Sequence, residues 1–166
     1  MVRKTDLTPK QIAALPYRAC VGVVLTDGRG RVFTGQRIDS DLPAWQMPQG
    51  GIDAGETVRE AGLRELWEET GVTEDKVTWL GEADDWVTYD LPHEIVPRIW
   101  KGRFKGQKQK WVLLRFSGED GDVDISGPPP EFSTWGWKTP DEILEAIVPF
   151  KRAVYEQVFA LFRDRI

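Results

Sequence analysis

The stretch Gly50-Gly51-Ile52-Asp53-Ala54-Gly55-Glu56 runs directly into Thr57-Val58-Arg59-Glu60-Ala61-Gly62-Leu63-Arg64-Glu65-Leu66-Trp67-Glu68-Glu69-Thr70 and ends at Gly71-Val72. Three glycines in the first part let a backbone approach or wrap a ligand, so it predicts a loop. The second part predicts a helix over 57–70, stopped by Gly71. Turned at about 100° per residue, that helix gathers Val58, Gly62, Leu63, Leu66, Trp67 and Thr70 on one side, the expected core face. Glu65, Glu68 and Glu69 stand at i, i+3 and i+4 on the neighbouring face, within a single turn. Two carboxylates ~5 Å apart repel by ~3 kcal/mol at an effective dielectric near ~20, so a partly enclosed trio needs cations or raised pKa values. Oxygen-only ligands favour Mg²⁺ or Mn²⁺ over zinc, and the one histidine, His93, makes no zinc site alone. Three glutamates at this spacing also describe an ordinary solvated helix face. The adjoining glycines, Glu56 at the end of the loop, and Arg64, able to pair with a loop carboxylate, join loop and helix into one site.

Gly50, Glu56, Arg64-Glu65-Leu66, Glu68-Glu69 and Gly71 fill the fixed positions of the Nudix box over residues 50–72, and the chain resembles the Nudix hydrolases. That resemblance implies an α/β fold, an α/β/α sandwich around a central mixed β-sheet, and hydrolysis of a nucleoside diphosphate linked to another group. The box names no substrate. Further segments look like one branch, the bacterial RNA 5′-pyrophosphohydrolases and dinucleoside polyphosphate hydrolases: Trp45-Gln46-Met47-Pro48-Gln49, Gly106-Gln107-Lys108-Gln109-Lys110-Trp111, Pro130-Glu131-Phe132, Trp135-Gly136-Trp137 and Phe150-Lys151-Arg152.

The branch resemblance implies roles residue by residue. Glu68 and Glu69 become the principal ligands of a divalent metal cation, Mg²⁺ or Mn²⁺. Glu65 becomes general base or shared ligand, and Glu131 and Gly50 further ligands. Arg37, Lys108, Lys110 and Lys151 become phosphate or RNA contacts, with Tyr89 and Phe150 near the nucleotide and Glu56 and Arg64 structural. The expected activity is removal of pyrophosphate from the 5′-triphosphate end of RNA. Asymmetric cleavage of diadenosine tetraphosphate is the alternative, and a non-catalytic RNA 5′-end or nucleotide binding module is the alternative of a different class. Oxidised-nucleotide sanitation suits the basic segment less well.

Length and composition set the outer bounds. The chain has 166 residues, 40% of them apolar, with 22 Lys+Arg against 27 Asp+Glu. This suits one domain over 1–166, with an irregular arm or short helix at 1–16. No apolar run approaches the ~20 residues of a membrane-spanning helix, and the run Ala19–Leu25 behind Pro16 does not read as a signal peptide. Cys20, the single cysteine, reads as a buried, inert thiol, and the expected compartment is the cytoplasm. A net charge of −5 argues against duplex DNA as a partner. Between Arg98 and Lys110, however, no acidic residue interrupts six basic ones, with Trp100, Phe104 and Trp111 interleaved, a composition suited to polyphosphate and stacked bases.

Outward from the box, strands are predicted at 18–26, 31–36, 45–48, 77–86, 95–100, 110–116 and 132–137. Helices follow at 141–146 and 151–163. Trp135 and Trp137 share one strand face by period-2 alternation. The irregular order of strands and helices suggests a mixed sheet with helices on both faces.

Overall fold

In the computed structural model, which describes residues 7–166, the apolar run after Pro16 becomes β1 (Tyr17–Thr26), the middle strand of an eight-stranded sheet. Residues 1–6 of the expected arm lie outside the described residues; within the rest, Pro9–Ala13 forms the short helix α1, capped by Thr8. β1 pairs in parallel with β7 (Gly106–Phe116) along its whole length, from Tyr17 opposite Gly106 to Thr26 opposite Arg115. Every other pairing is antiparallel: β2 (Val32–Arg37) with β1, where Val32 lies opposite Thr26, and with β3 (Trp45–Gln46) and β8 (Phe132–Lys138), β4 (Gln49–Gly51) with β1, and both β5 (Val77–Glu82) and β6 (Val87–Asp90) with β7. The sheet is therefore mixed.

Alternation along β1 and β7 divides the core between two faces. Val21, Val23 and Leu25 with Val112 and Leu114 pack under α2 (Val58–Thr70) through Ala61 and Leu66. On the other face, Val24, Trp111 and Leu113 meet α3 (Pro140–Ala146) and α4 (Arg152–Phe162) through Ile143, Tyr155, Val158 and Phe159. Fully burying each large aliphatic side chain is worth ~1.5–3 kcal/mol. The result is an α/β/α sandwich. Among the described residues, no helix is long and apolar enough to cross a membrane.

Four expectations need correction. The segment 95–100 is not a strand: it carries two 3₁₀ turns, Val96–Arg98 and Trp100–Gly102, because Pro97 offers no N–H to a ladder and Trp100 and Lys101 take positive φ. The expected strand 77–86 is two strands, bulged between Trp79 and Gly81 and broken before Val87, with both pieces laid on β7. Trp67 does not face the core. It is 58% exposed, and the buried face of α2 instead includes Ala61, Glu65 and Glu69, a rotation toward the glutamates that hydrophobicity alone does not reveal. Trp111, fully buried against Tyr155, is core rather than a stacking platform.

The turn after β1 carries Gly28 and Gly30 at φ of 78° and 86°, and β2 then leaves β1 to pair with β8 and β3. Trp135 and Trp137 do share a face, packed on Phe33. Cys20 is buried, its thiol pushed up to about 11 by desolvation.

Candidate active site

Helix α2 is fixed at both ends. Thr57 Oγ1 accepts from the Glu60 N–H at 3.1 Å while Glu60 Oε1 accepts from the Thr57 N–H at 3.3 Å, a reciprocal cap. Gly71 closes the other end at φ 71°, a conformation that glycine adopts without strain. The glycine-rich loop is fastened to this helix by Arg64. Its Nε and Nη2 reach the two oxygens of Glu56 at 2.7 and 2.8 Å, Nη2 also donates to the Gly51 carbonyl at 2.8 Å, and Nη1 reaches Glu65 at 2.8 Å and Glu68 at 3.3 Å. The guanidinium holds the Glu56 carboxyl down at about 2. Loop, helix start and two of the three glutamates thus share one cation.

Gly51, Glu65 and Glu68, with Gly50 and Glu69, line a cavity of about 590 Å³ between α2, the β3–β4 segment and the start of α4. Glu65 and Glu69 are buried, and Glu68 is exposed at the rim. Burial pushes the Glu65 carboxyl up against the pull of Arg64. Burial pushes Glu69 well above the usual carboxylate range, reinforced by the charges of Glu65 and Glu131. Glu131 arrives from a distant part of the chain because β8 pairs with β2, where the Ile38 N–H donates to the Glu131 carbonyl at 2.9 Å.

Gly50 and Gly51 lie in β4, paired with β1, rather than in the loop expected from Gly50 on; a Cβ on Gly50 would overlap the Glu65 carboxyl group, so glycine keeps the space between β4 and the helix open. Among the described residues no three His, Cys, Asp or Glu side chains are already gathered around a common point; Arg64 stands between Glu65 and Glu68. All-oxygen donors, carboxylates whose charges oppose one another and an open glycine cradle fit a hard dication better than a thiolate- or imidazole-seeking metal.

Cations and aromatic rings line the same cavity. Arg37 is gripped by Asp39 through two hydrogen bonds of 2.8 and 2.6 Å. Lys151, buried at the start of α4, donates to Gln46 Oε1 at 3.3 Å, and its ammonium is pushed down to about 8, chiefly by burial and then by Arg37. The Phe150 ring lies 5.9 Å from that of Tyr89. Arg37, Lys151, Tyr89 and Phe150 therefore line the cavity together with the carboxylates.

Lys108 and Lys110 are placed elsewhere. Both lie over the Trp86 ring, at 4.8 and 5.7 Å, and Lys110 also donates to the Ala83 and Asp84 carbonyls. Alternation along β7 turns the intervening residues inward instead. Gln109 Nε2 donates to Gln49 Oε1 and to Gln107 Oε1 at 2.9 Å each, Tyr89 Oη donates to Gln107 Oε1 at 3.0 Å, and the Gln49 N–H donates to Glu69 at 3.2 Å. Amides thus run from the aromatic wall to the buried glutamate. The period-2 rule applied to Gln107-Lys108-Gln109-Lys110-Trp111 was the available signal. Arg18, Asp39, Gln46 and Trp100 also line the cavity; in the sequence the branch segment marked Gln46 and the basic, aromatic stretch marked Trp100, while Arg18 and Asp39 carried no signal.

A layered α/β scaffold whose cleft brings carboxylates and cations together suits the class of enzymes that open phosphate anhydrides. A NUDIX domain model matches residues 16–158, and the chain belongs to the Nudix family, whose hydrolases generally use divalent metal ions. It is 66% identical over 158 residues to an RNA pyrophosphohydrolase of Dinoroseobacter shibae, covering 95% of this chain and 99% of that one. It is 54% identical over 160 residues to an RNA pyrophosphohydrolase of Roseobacter denitrificans, covering 96% and 100%. A solved Escherichia coli dihydroneopterin triphosphate pyrophosphohydrolase shares the fold at 21% identity with a TM-score of 0.67, over 86% of this chain and 96% of that one. A Caenorhabditis elegans Ap4A hydrolase shares it at 20% identity with a TM-score of 0.64, over 89% and 98%.

Proposed function

We propose that this protein is an RNA pyrophosphohydrolase: it hydrolyses the 5′-triphosphate end of RNA between the α and β phosphates, releasing pyrophosphate and leaving a 5′-monophosphate. The observation that carries the reading is the 66% identity, over nearly the whole of both chains, to a relative of that name. The cavity supports it, because one cleft holds Glu65, Glu68, Glu69 and Glu131 together with Arg37 and Lys151, with Tyr89 and Phe150 alongside. A triphosphate needs charge compensation along its length, and a terminal nucleotide needs an aromatic surface.

In this reading Glu68 and Glu69 hold Mg²⁺ or Mn²⁺, with Glu131 and Gly50 contributing at the same place. Bound there, the cation offsets charge on the phosphate oxygens and makes water a better nucleophile. Glu65 takes the proton of the attacking water through its carboxylate or shares in holding the ion. Arg37 and Lys151 bind the phosphates, and Asp39 keeps the Arg37 guanidinium aimed into the cleft. Tyr89 and Phe150 bear on the nucleotide, while Lys108 and Lys110, outside the cleft, are left to the body of the RNA. Glu56 and Arg64 hold loop and helix together. A cytoplasmic setting belongs to the same reading.

The test is a side-by-side measurement of kcat/KM on 5′-triphosphorylated RNA and on diadenosine tetraphosphate, in chelated enzyme resupplied with Mg²⁺ or Mn²⁺. The expected result is metal-dependent pyrophosphate release with RNA preferred. No release from RNA at high enzyme concentration overturns the proposal.

A further inference from the structure

One wall of the cavity comes from the irregular segment between β6 and β7, through Leu91, Ile99 and Trp100. Within it Trp100 and Lys101 hold φ of 49° and 59°, left-handed values that residues with side chains adopt at a cost and keep only where their surroundings enforce them. The Gly102 that follows, at φ 69°, adopts such values freely, so the cost falls on its two neighbours.

The turn seats the Trp100 indole beneath the Arg18 guanidinium, whose carbon lies 5.2 Å from the ring centroid, and the Phe104 ring braces the indole near-perpendicularly at 6.1 Å. Arg18 comes from β1 and lines the cavity beside the glycine loop, close enough that a Cβ on Gly51 would lie 2.5 Å from its Nη2. Its Nη1 donates to Cys20 Sγ at 3.2 Å, a weak acceptor, and its charge opposes the rise of the Glu65 carboxyl.

The cavity's two arginines are thus held by different means. Arg37 is chelated by a carboxylate that partly neutralises it. Arg18 lies against an aromatic face, which orients a planar guanidinium without taking up its N–H groups or adding negative charge near Glu65 and Glu69.

We propose that Trp100 is a positioning residue for the hydrolysis, its indole holding the Arg18 guanidinium toward the substrate's phosphate chain at the carboxylate end of the cavity. This deepens the RNA pyrophosphohydrolase reading and rests on it. The strained turn is there to place the ring, and the ring places the charge.

The experiment is a double-mutant cycle in the full-length protein on a 5′-triphosphorylated oligoribonucleotide: Trp100→Ala, Trp100→Phe, Arg18→Gln and Arg18→Gln with Trp100→Ala, each with its Tm. Trp100→Ala is expected to lose about 10-fold in kcat/KM, mainly through KM, and Trp100→Phe to regain most of it. Both Arg18→Gln and Trp100→Ala should flatten the dependence of KM on salt, as loss of a phosphate contact does. In the Arg18→Gln background Trp100→Ala should cost less than about two-fold. An equal loss in both backgrounds, or no recovery with phenylalanine, overturns the proposal. Should Trp100→Ala lower Tm markedly, Trp100→Leu, which keeps apolar bulk without a π face, takes its place in the cycle with the same two outcomes. If the wild-type protein releases no pyrophosphate from RNA, the functional reading fails on its own. The Trp100–Arg18 coupling is then read from calorimetric binding of inorganic tripolyphosphate, where additive losses overturn it.

Discussion

Gly50 and Glu65 occupy touching positions across β4 and the helix, so closely that a methyl group on Gly50 would overlap the Glu65 carboxyl carbon. Leaving a side chain off residue 50 and seating a buried carboxylate on α2 are one structural fact. Gly50→Ala must push Glu65 aside, and a misplacement of about 1 Å in a catalytic group costs about 10²-fold. A loss of that order in kcat/KM is expected with the fold retained, checked by steady-state kinetics beside thermal melting.

Arg64 and Glu56 give a second test, because the arginine's two-pronged grip ties the loop to α2 while its remaining nitrogen faces Glu65 and Glu68. Lysine keeps the charge but cannot make the fork. Arg64→Lys should therefore lower activity by about 10- to 100-fold, the usual effect of losing an orienting partner behind ligating residues. With Glu56 held at about 2 against an ordinary 4.5, its stabilising contribution is complete above pH 4.5 and is lost as pH falls from there toward 2. The Tm difference between the wild type and Glu56→Gln should accordingly shrink over that interval in a pH series of melts.

Much of this site was legible in the sequence because its central part is local. Glu65, Glu68 and Glu69 sit within one helical turn, and Arg64 and Glu56 lie eight residues apart, so helix periodicity and a glycine-marked loop were enough to bring them together. The family resemblance supplied Arg37, Glu131, Tyr89, Phe150 and Lys151, which no local rule connects; the cavity gathers all five. What stayed hidden depends on long-range placement. The parallel pairing of β1 with β7 decides that Gln107 and Gln109 turn toward Gln49 and Tyr89 while Lys108 and Lys110 turn to Trp86. The rotation of α2 that buries Glu65 and Glu69 and exposes Trp67 runs against the hydrophobic pattern, as expected where a site overrides local preference. The 3₁₀ turns around Pro97 replaced an expected strand because an apolar run with basic residues says nothing about backbone sign at Trp100.

The burial of Glu65 beside Glu69 separates activity from stability. Each carboxylate is raised by desolvation, and Glu65 adds its charge to the burden on Glu69. Glu65→Gln removes that charge and keeps an oxygen for Arg64, so its Tm should equal or exceed that of the wild type. Turnover should nonetheless fall by about 10²–10⁴-fold, the usual cost of losing a general base. Near-normal turnover in a folded Glu65→Gln protein would assign the proton to another group, with Glu131 next in line in the same cavity.

Lys151 should set the alkaline limit of binding. Its ammonium is pushed down from 10.5 to about 8 by burial and by Arg37, so between pH 8 and 10.5 the unfolded chain holds a proton that the folded chain has lost. On this account stability is least below pH 8 and rises with pH through that window. Phosphate binding runs the other way, since only the charged ammonium compensates a triphosphate. For the wild type, kcat/KM on triphosphorylated RNA should therefore fall as pH rises through about 8. In Lys151→Arg the guanidinium stays charged across the range, so that descending limb should flatten even if the absolute rate is lower. A pH–rate profile of the two proteins, taken under identical metal and salt conditions, makes the comparison; an unchanged alkaline limb in Lys151→Arg would show that another group controls it.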